Sequence, residues 1–167
     1  MRAPIANGTK GTVLVVDDTP DNITFTTHSL RKIGIECLTA QRGWECIEIA
    51  KNKPVDLILL DLLMPQMDGW ATLAALRDEP ATRKIAVVVF SCDDRLAIRE
   101  RAMKEGAVDF LPRPVMRDAL VNCVQTHLRA VARARALEAI DRGLTSSAEM
   151  DGTPPPLHSA AGSYGRV

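Results

Sequence analysis

Residues 55–69, VDLILLDLLMPQMDG, place a single carboxylate, Asp61, directly behind an apolar run, and residues 12–18, TVLVVDD, do the same with the pair Asp17 and Asp18. Short runs that are apolar almost throughout read as strands covered on both faces. In an open parallel sheet the ligand crevice lies outside the carboxyl ends of the strands, at the topological switch point. Acids placed there converge from distant sequence into one site. A cluster of carboxylate oxygens with no Cys or His beside it suits a hard divalent cation, and Mg²⁺ is the expected ion. Such a site is built to handle phosphate.

Further β-rich runs lie at Ile35 to Thr39, Ile85 to Phe90 and Ala107 to Leu111, making five with Thr12 to Val16 and Val55 to Leu60. Between them the apolar residues take helical spacing, at Ile23, Leu30 and Ile33, at Ile47 and Ala50, at Leu73 and Leu76, and at Leu96, Ala97 and Met103. Gly34 and Gly106 stand where helix C-caps belong. TVLVV, VDLILL and IAVVVF are nearly unbroken and read as central strands, whereas IECLT and AVDFL are weaker and fit the edges. With right-handed crossovers the pattern predicts an α/β fold, a doubly wound five-stranded parallel sheet of flavodoxin-like order 2-1-3-4-5 with five helices. Asp17, Asp18 and Asp61 then meet at one end of the sheet, with Ser91 beside them.

The chain has 167 residues, 46% hydrophobic and 25% charged, which is enough for one globular domain with some tail to spare. Its 21 basic and 21 acidic residues cancel, which argues against a global attraction to nucleic acid or anionic membrane. Cys37, Cys46, Cys92 and Cys123 show no CxxC spacing, so they read as reduced thiols and no zinc site is expected. The N-terminal MRAPIANGTKG lacks the core of a signal peptide, and no run approaches the roughly 20 apolar residues that span a bilayer. A soluble cytoplasmic protein is expected.

After Pro114 one long helix is predicted, from about Met116 to Arg142, with apolar or small residues at Leu120, Val124, Leu128, Val131, Ala134, Leu137 and Ile140. A helix packing on such a sheet needs only a few turns, so the part beyond His127 is expected to project. Six arginines against three acids lie between Arg113 and Arg142. The extension reads as a dimer or partner surface, because an apolar stripe beyond the body has nothing intramolecular to cover it. No helix-turn-helix or aromatic platform accompanies the basic bias, so nucleic acid is not expected as a partner. The segment from Thr145 onward is rich in Ser, Gly and Pro and reads as a flexible tail. The expected division is an N-terminal segment 1–10, a domain 11–128, a helical extension 129–144 and a tail 145–167.

VLVVDD, LLDLLMPQMDG, VVVFS and DFLPRPV, in this order and at βα spacing, resemble the four signature stretches of a two-component response-regulator receiver domain of the CheY-like superfamily. The resemblance runs from about Gly11 to about Leu128. It implies that Asp61 is the phosphoacceptor, taking a phosphoryl group from a histidine kinase or histidine phosphotransfer protein. It implies that Asp17, Asp18, Asp61 and the backbone carbonyl of Leu63 hold Mg²⁺. Met64-Pro65 would shape the loop after the third strand, and Asp68-Gly69 would turn into the third helix. Ser91 would hydrogen-bond a phosphoryl oxygen, and Phe110 would swing from exposed to buried. The fourth helix, fifth strand and fifth helix would form the output surface for a downstream protein effector or a homodimer.

Two departures bear on activity. The family's basic residue before the strand-five proline is a lysine, and here it is Arg113. Its planar fork either pairs bidentately with phosphoryl oxygens or is too bulky to enter. Cys92 stands where the family favours a very small residue, and Leu63 is apolar at a variable position that can hold an attacking water. Both should hinder water, so a long-lived acyl phosphate is expected. The sequence reads as a stand-alone receiver that promotes its own phosphorylation and turns over no separate substrate. The alternative is a degenerate receiver acting as a constitutive interaction or dimerisation module. A phosphohydrolase of similar topology would need a D-x-D motif after the first strand, where the chain reads Asp17-Asp18-Thr19-Pro20.

Overall fold

The computed structural model describes residues 9–149, with side chains described up to Gly143. Five strands, β1 (Thr12–Val16), β2 (Glu36–Ala40), β3 (Leu57–Asp61), β4 (Ala86–Ser91) and β5 (Asp109–Pro112), alternate with five helices, α1 (Pro20–Arg31), α2 (Gly43–Asn52), α3 (Gly69–Asp78), α4 (Leu96–Lys104) and α5 (Arg117–Glu149). The strands form one parallel sheet in the order β2-β1-β3-β4-β5. This is the predicted doubly wound arrangement, with β1 and β3 adjacent where the strand order reverses.

Side-chain alternation splits the central strands between two cores. Leu14, Val16, Ile58, Leu60, Val87 and Val89 face one side and pack with Cys46 and Ala50 of α2, Leu73 and Leu76 of α3 and Ala102 of α4. Val13, Val15, Leu57, Leu59 and Val88 face the other, with Leu30 of α1 and Leu120, Val124 and Leu128 of α5. Burying both faces is why β1, β3 and β4 are apolar through their interiors, with polar residues only at their ends, Thr12, Asp61 and Ser91. Each such Val or Leu, fully buried, contributes about 1.5–3 kcal/mol. The edge strands β2 and β5 carry partly exposed residues, as their weaker patterns predict.

Most elements sit slightly later in the chain than their sequence patterns indicate. β2 begins at Glu36 and not Ile35, β3 runs Leu57–Asp61 and not Val55–Leu60, β4 ends at Ser91 and not Phe90, and β5 ends at Pro112 and not Leu111. The ladder explains the shift: Asp61 pairs in register with Phe90, and Ser91 with Pro112, so polar residues that hydrophobicity alone excludes are still bound into the sheet. Asp61 and Ser91 are therefore strand residues held by backbone pairing on a rigid element. Gly34 and Gly106 both take positive φ, at 83° and 103°, where the chain leaves α1 and α4.

Helix α5 begins at Arg117 and runs to Glu149, past the predicted end at Arg142 and through the first residues read as tail. The remainder of that tail and the first eight residues lie outside the described residues. The chain divides into two units, one ending at Ala132 and the other beginning at Arg133. In the second unit the side chains from Arg133 to Gly143 are exposed, Leu137 and Ile140 among them. Among the described residues, no helix is long and apolar enough to cross a membrane.

Candidate functional site

The acids converge at the carboxyl ends of β1 and β3. Asp17 follows β1 directly and is fully buried, Asp61 closes β3 at 5% exposure, and Asp18 is more open. One carboxylate oxygen from each lies within 4.8 Å of the others. Burial, with Asp17 and Asp18 adding to it, outweighs the lowering pull of the Leu63 N–H and Arg113 and leaves the Asp61 carboxyl raised to about 6. The Leu63 N–H donates to Asp61 Oδ1 at 3.2 Å, which fixes one carboxylate oxygen while the Leu63 side chain stays exposed.

Asp17 is held from three directions. The Thr19 N–H donates to Oδ1 at 2.8 Å and Asn22 Nδ2 donates to the same oxygen at 3.2 Å. Arg113 Nη2 donates to Oδ2 in a close ion pair. Arg113 Nη1 reaches to 3.9 Å from Asp61 Oδ2, and the guanidinium stacks 4.0 Å from the centre of the Phe90 ring. With only 11% of its side chain exposed, Arg113 is a desolvated cation between two of the acids. The geometry places the guanidinium beside Asp17 and Asp61.

The loop after β3 is set by its own backbone. Asp68 Oδ1 caps α3 by accepting from the Ala71 N–H at 2.8 Å. Gly69 comes so close to the end of β3 that a Cβ there would lie 2.3 Å from the Asp61 carbonyl oxygen. The start of α3 thus presses directly on the backbone that positions Asp61, a role for Gly69 beyond turning the chain. Met64 is buried in the core beneath this loop.

Ser91 is fully buried, and its Oγ accepts from the Asp93 N–H at 3.2 Å. Register brings its neighbour Phe90 opposite Asp61, so β4 delivers Ser91 to the same end of the sheet. Phe110 is 4% exposed and packed in the core with Arg99 over its ring at 5.4 Å. That is the packing which the sequence resemblance attaches to the phosphorylated state. Cys92 is exposed, and Arg95, its nearest basic neighbour in sequence, is committed to Asp93 at 2.6 Å.

Three contributors lay outside the sequence reading. Asn22 acts on Asp17 from the first turns of α1, and Phe90 supplies the face on which Arg113 lies. Beside them, an open cleft of about 470 Å³ is lined by Asn22, Phe25, Thr26, Phe90, Cys92 and Arg113. The third is a separate cluster of Asp109, Cys123 and His127. The i, i+4 spacing of Cys123 and His127 on a helix was the available signal for that cluster.

Comparison with known proteins agrees with this geometry. Residues 13–125 match the family described as "Response regulator receiver domain". A probable cyclic di-GMP phosphodiesterase of Vibrio cholerae is 34% identical over 118 residues, covering 71% of this chain and 26% of that protein. The response regulator PleD of Caulobacter vibrioides is 37% identical over 103 residues, covering 62% of this chain and 23% of that one. The chain thus spans about a quarter of the length of these two relatives. A solved receiver domain of a signal transduction histidine kinase from Syntrophus aciditrophicus matches with a TM-score of 0.67 at 30% identity, covering 74% of this chain and 93% of that one. With the family matched across most of its sheet and all three acids at the expected strand ends, the chain belongs to the response regulator receiver family of two-component signalling.

Proposed function

We propose that this receiver is a phosphoacceptor in a cytoplasmic phosphorelay, with Asp61 taking a phosphoryl group from a histidine kinase or histidine phosphotransfer protein. The observation that carries the reading is Asp61 buried at a strand end with Asp17 and Asp18 within 4.8 Å. Carboxylates gathered this closely repel one another, and a cation relieves that repulsion. The set offers hard oxygen donors alone, which fits Mg²⁺ held by Asp17, Asp18, Asp61 and the Leu63 carbonyl. When bound, Mg²⁺ would supply charge neutralisation between the carboxylate and the incoming phosphoryl oxygens.

The protein's own groups would do the rest by position and charge. An Asp61 oxygen forms the new P–O bond as the P–N bond to the donor imidazole breaks; with its other nitrogen protonated, that ring departs neutral. The Leu63 N–H holds Oδ1, and Arg113 Nη1 faces Oδ2. Arg113 would then pair with the phosphoryl oxygens in the place of the family's lysine, while its stacking on Phe90 keeps the fork desolvated. The cleft beside Asn22 and Arg113 gives a donor ring an approach. Ser91 would bond a phosphoryl oxygen, and the loop movement would be read by Phe110 and the surface of α4, β5 and α5, changing contact with a protein effector or a second copy through the extended α5. No separate substrate is turned over.

One observation favours a second reading, a degenerate receiver that serves as a constitutive interaction module. Arg113 already provides Asp17 with a counter-ion, so a divalent ion must compete with it. The test is intact mass after incubation with Mg²⁺ and acetyl phosphate, beside an Asp61→Asn control. Gain of one phosphoryl group dependent on Asp61 supports the phosphoacceptor. No gain from acetyl phosphate or from a histidine-kinase donor supports the second reading.

A further inference from the structure

Where β5 begins against α5, three chemically different side chains converge. Asp109 opens β5, and Cys123 and His127 stand four residues apart on α5, on one helix face. His127 Nε2 lies 2.8 Å from Asp109 Oδ2, and Cys123 Sγ lies 3.8 Å from the same oxygen. One ligand atom from each residue lies within 4.8 Å of the other two.

We propose that Asp109, Cys123 and His127 form a second metal site, selective for a borderline-soft transition ion of the zinc class and separate from the acid cluster of β1 and β3. The donors are one oxygen, one sulfur and one imidazole nitrogen, a set that favours Zn²⁺ or Co²⁺ over Mg²⁺ or Ca²⁺. Zinc–ligand bonds of about 2.0–2.3 Å in a tetrahedron put neighbouring ligand atoms roughly 3.3–3.8 Å apart. The spacings here already bracket that range, so small rotations of the side chains suffice. Two ligands ride on a continuous helix and the third on a strand, so the fold fixes their relative positions.

All three residues are partly buried, and 45% of the Asp109 side chain is exposed, which leaves the fourth tetrahedral position open to water or to a donor from another molecule. A thiol–imidazole nucleophile is the competing use of Cys and His, and it does not fit. The Cys123 sulfur donates its hydrogen bond to the Asp109 carboxylate, at 3.8 Å, and His127 Nε2 is engaged by the same oxygen at 2.8 Å. Burial, reinforced by Asp109, pushes the Cys123 thiol up to about 12, the opposite of an activated cysteine. Metal capture is a plain exchange: the Cys123 S–H bond gives its proton to solvent as the sulfur–metal bond forms. The bound ion would tie the first residue of β5, immediately before Phe110, to α5.

Cobalt tests this directly, because a thiolate ligand gives Co²⁺ a near-ultraviolet charge-transfer band that oxygen ligands cannot give. The reduced, chelator-stripped full chain is titrated with Co²⁺ and then with Zn²⁺. The expected result is one equivalent of charge-transfer band that Zn²⁺ bleaches and that neither excess Mg²⁺ nor Asp61→Asn disturbs. Cys123→Ser should abolish it. Losing even an outer-shell partner of a metal costs about 10–100-fold in affinity, so Zn²⁺ binding should weaken at least that much in the variant. If Cys123→Ser does not fold, judged by circular dichroism, His127→Gln decides the question through the same loss of zinc affinity. Cobalt bound without the band, a band that survives Cys123→Ser, or no binding at all overturns the proposal.

Discussion

The acid cluster at the ends of β1 and β3 and the mixed cluster between β5 and α5 each bring three potential ligands within 4.8 Å, yet they are built by different means. Asp17, Asp18 and Asp61 are gathered by topology, since adjacent parallel strands must end side by side. Asp109, Cys123 and His127 are gathered by packing, since only the docking of α5 on the sheet brings a helix face to the start of β5. The donor chemistry follows the same division. The first cluster is all carboxylate with a guanidinium beside it, and the second mixes oxygen, sulfur and nitrogen. The one fold thus presents two different sets of donor atoms at two separate places.

The largest effect that can break this comparison is Asp61→Asn. It removes the proposed phosphoacceptor of the first cluster, and phosphorylation by acetyl phosphate or a kinase should fall below detection in intact mass spectra. The cobalt–thiolate band of the second cluster should be unchanged in the same protein. Loss of both would mean that the clusters are one coupled system. Next in size is Arg113→Ala. If the guanidinium stabilises charge in the transferring phosphoryl group, its removal should slow phosphorylation by about 10²–10³-fold, the usual cost of one preorganised electrostatic donor. Arg113→Lys should recover most of the rate. A rate unchanged in Arg113→Ala would show that Arg113 serves only as a counter-ion to Asp17.

The two clusters also differ in how far the sequence disclosed them. The five strands, their order and the meeting of Asp17, Asp18 and Asp61 followed from apolar runs, because burial on both faces of a parallel sheet leaves a pattern along the chain. What that pattern hides is anything polar that the ladder still binds. Asp61 and Ser91 belong to strands for that reason, although hydrophobicity stops one residue short of each. Asn22 and Phe90 stayed hidden because nothing in their own neighbourhoods marks them; their role depends on where Asp17 and Arg113 come to rest. The reading that assigned no metal role to any cysteine relied on CxxC spacing. That spacing carries no information on the i, i+4 placement of Cys123 and His127 on α5.

Gly69→Ala tests how tightly the first cluster depends on its backbone. Ala is favoured over Gly inside a helix by up to about 1 kcal/mol. Against this, the new Cβ would lie 2.3 Å from the Asp61 carbonyl oxygen and 2.4 Å from Leu62 Cα, and both are main-chain atoms with little room to yield. Overpacking of this kind typically costs about 1–3 kcal/mol, so the clash wins and urea unfolding should show net destabilisation. Since the strain falls on Asp61, the proposed phosphoacceptor, phosphorylation should slow as well. A stabilised variant would show that α3 can shift away from β3.

The smallest effect concerns the second cluster without metal. Burial pushes the Asp109 carboxyl up, but the bond to His127, the Phe110 N–H and the Cys123 thiol outweigh it and hold the group below the usual carboxylate range. A carboxylate with a lowered folded-state pKa adds stability above its unfolded pKa, near 3.9, and loses it as pH falls through the folded value. The pair is partly exposed, so His127→Ala in the presence of chelator should cost about 0.2–1 kcal/mol at neutral pH. In urea titrations the wild-type and His127→Ala curves should converge as pH falls below about 4, once Asp109 is protonated in both states. Excess Zn²⁺ should then widen the neutral-pH gap, because an ion that binds only the folded wild type adds RT ln(1 + [Zn²⁺]/Kd) to its stability and nothing comparable to the variant. A gap that zinc leaves unchanged would reduce Asp109, Cys123 and His127 to a structural clasp between β5 and α5.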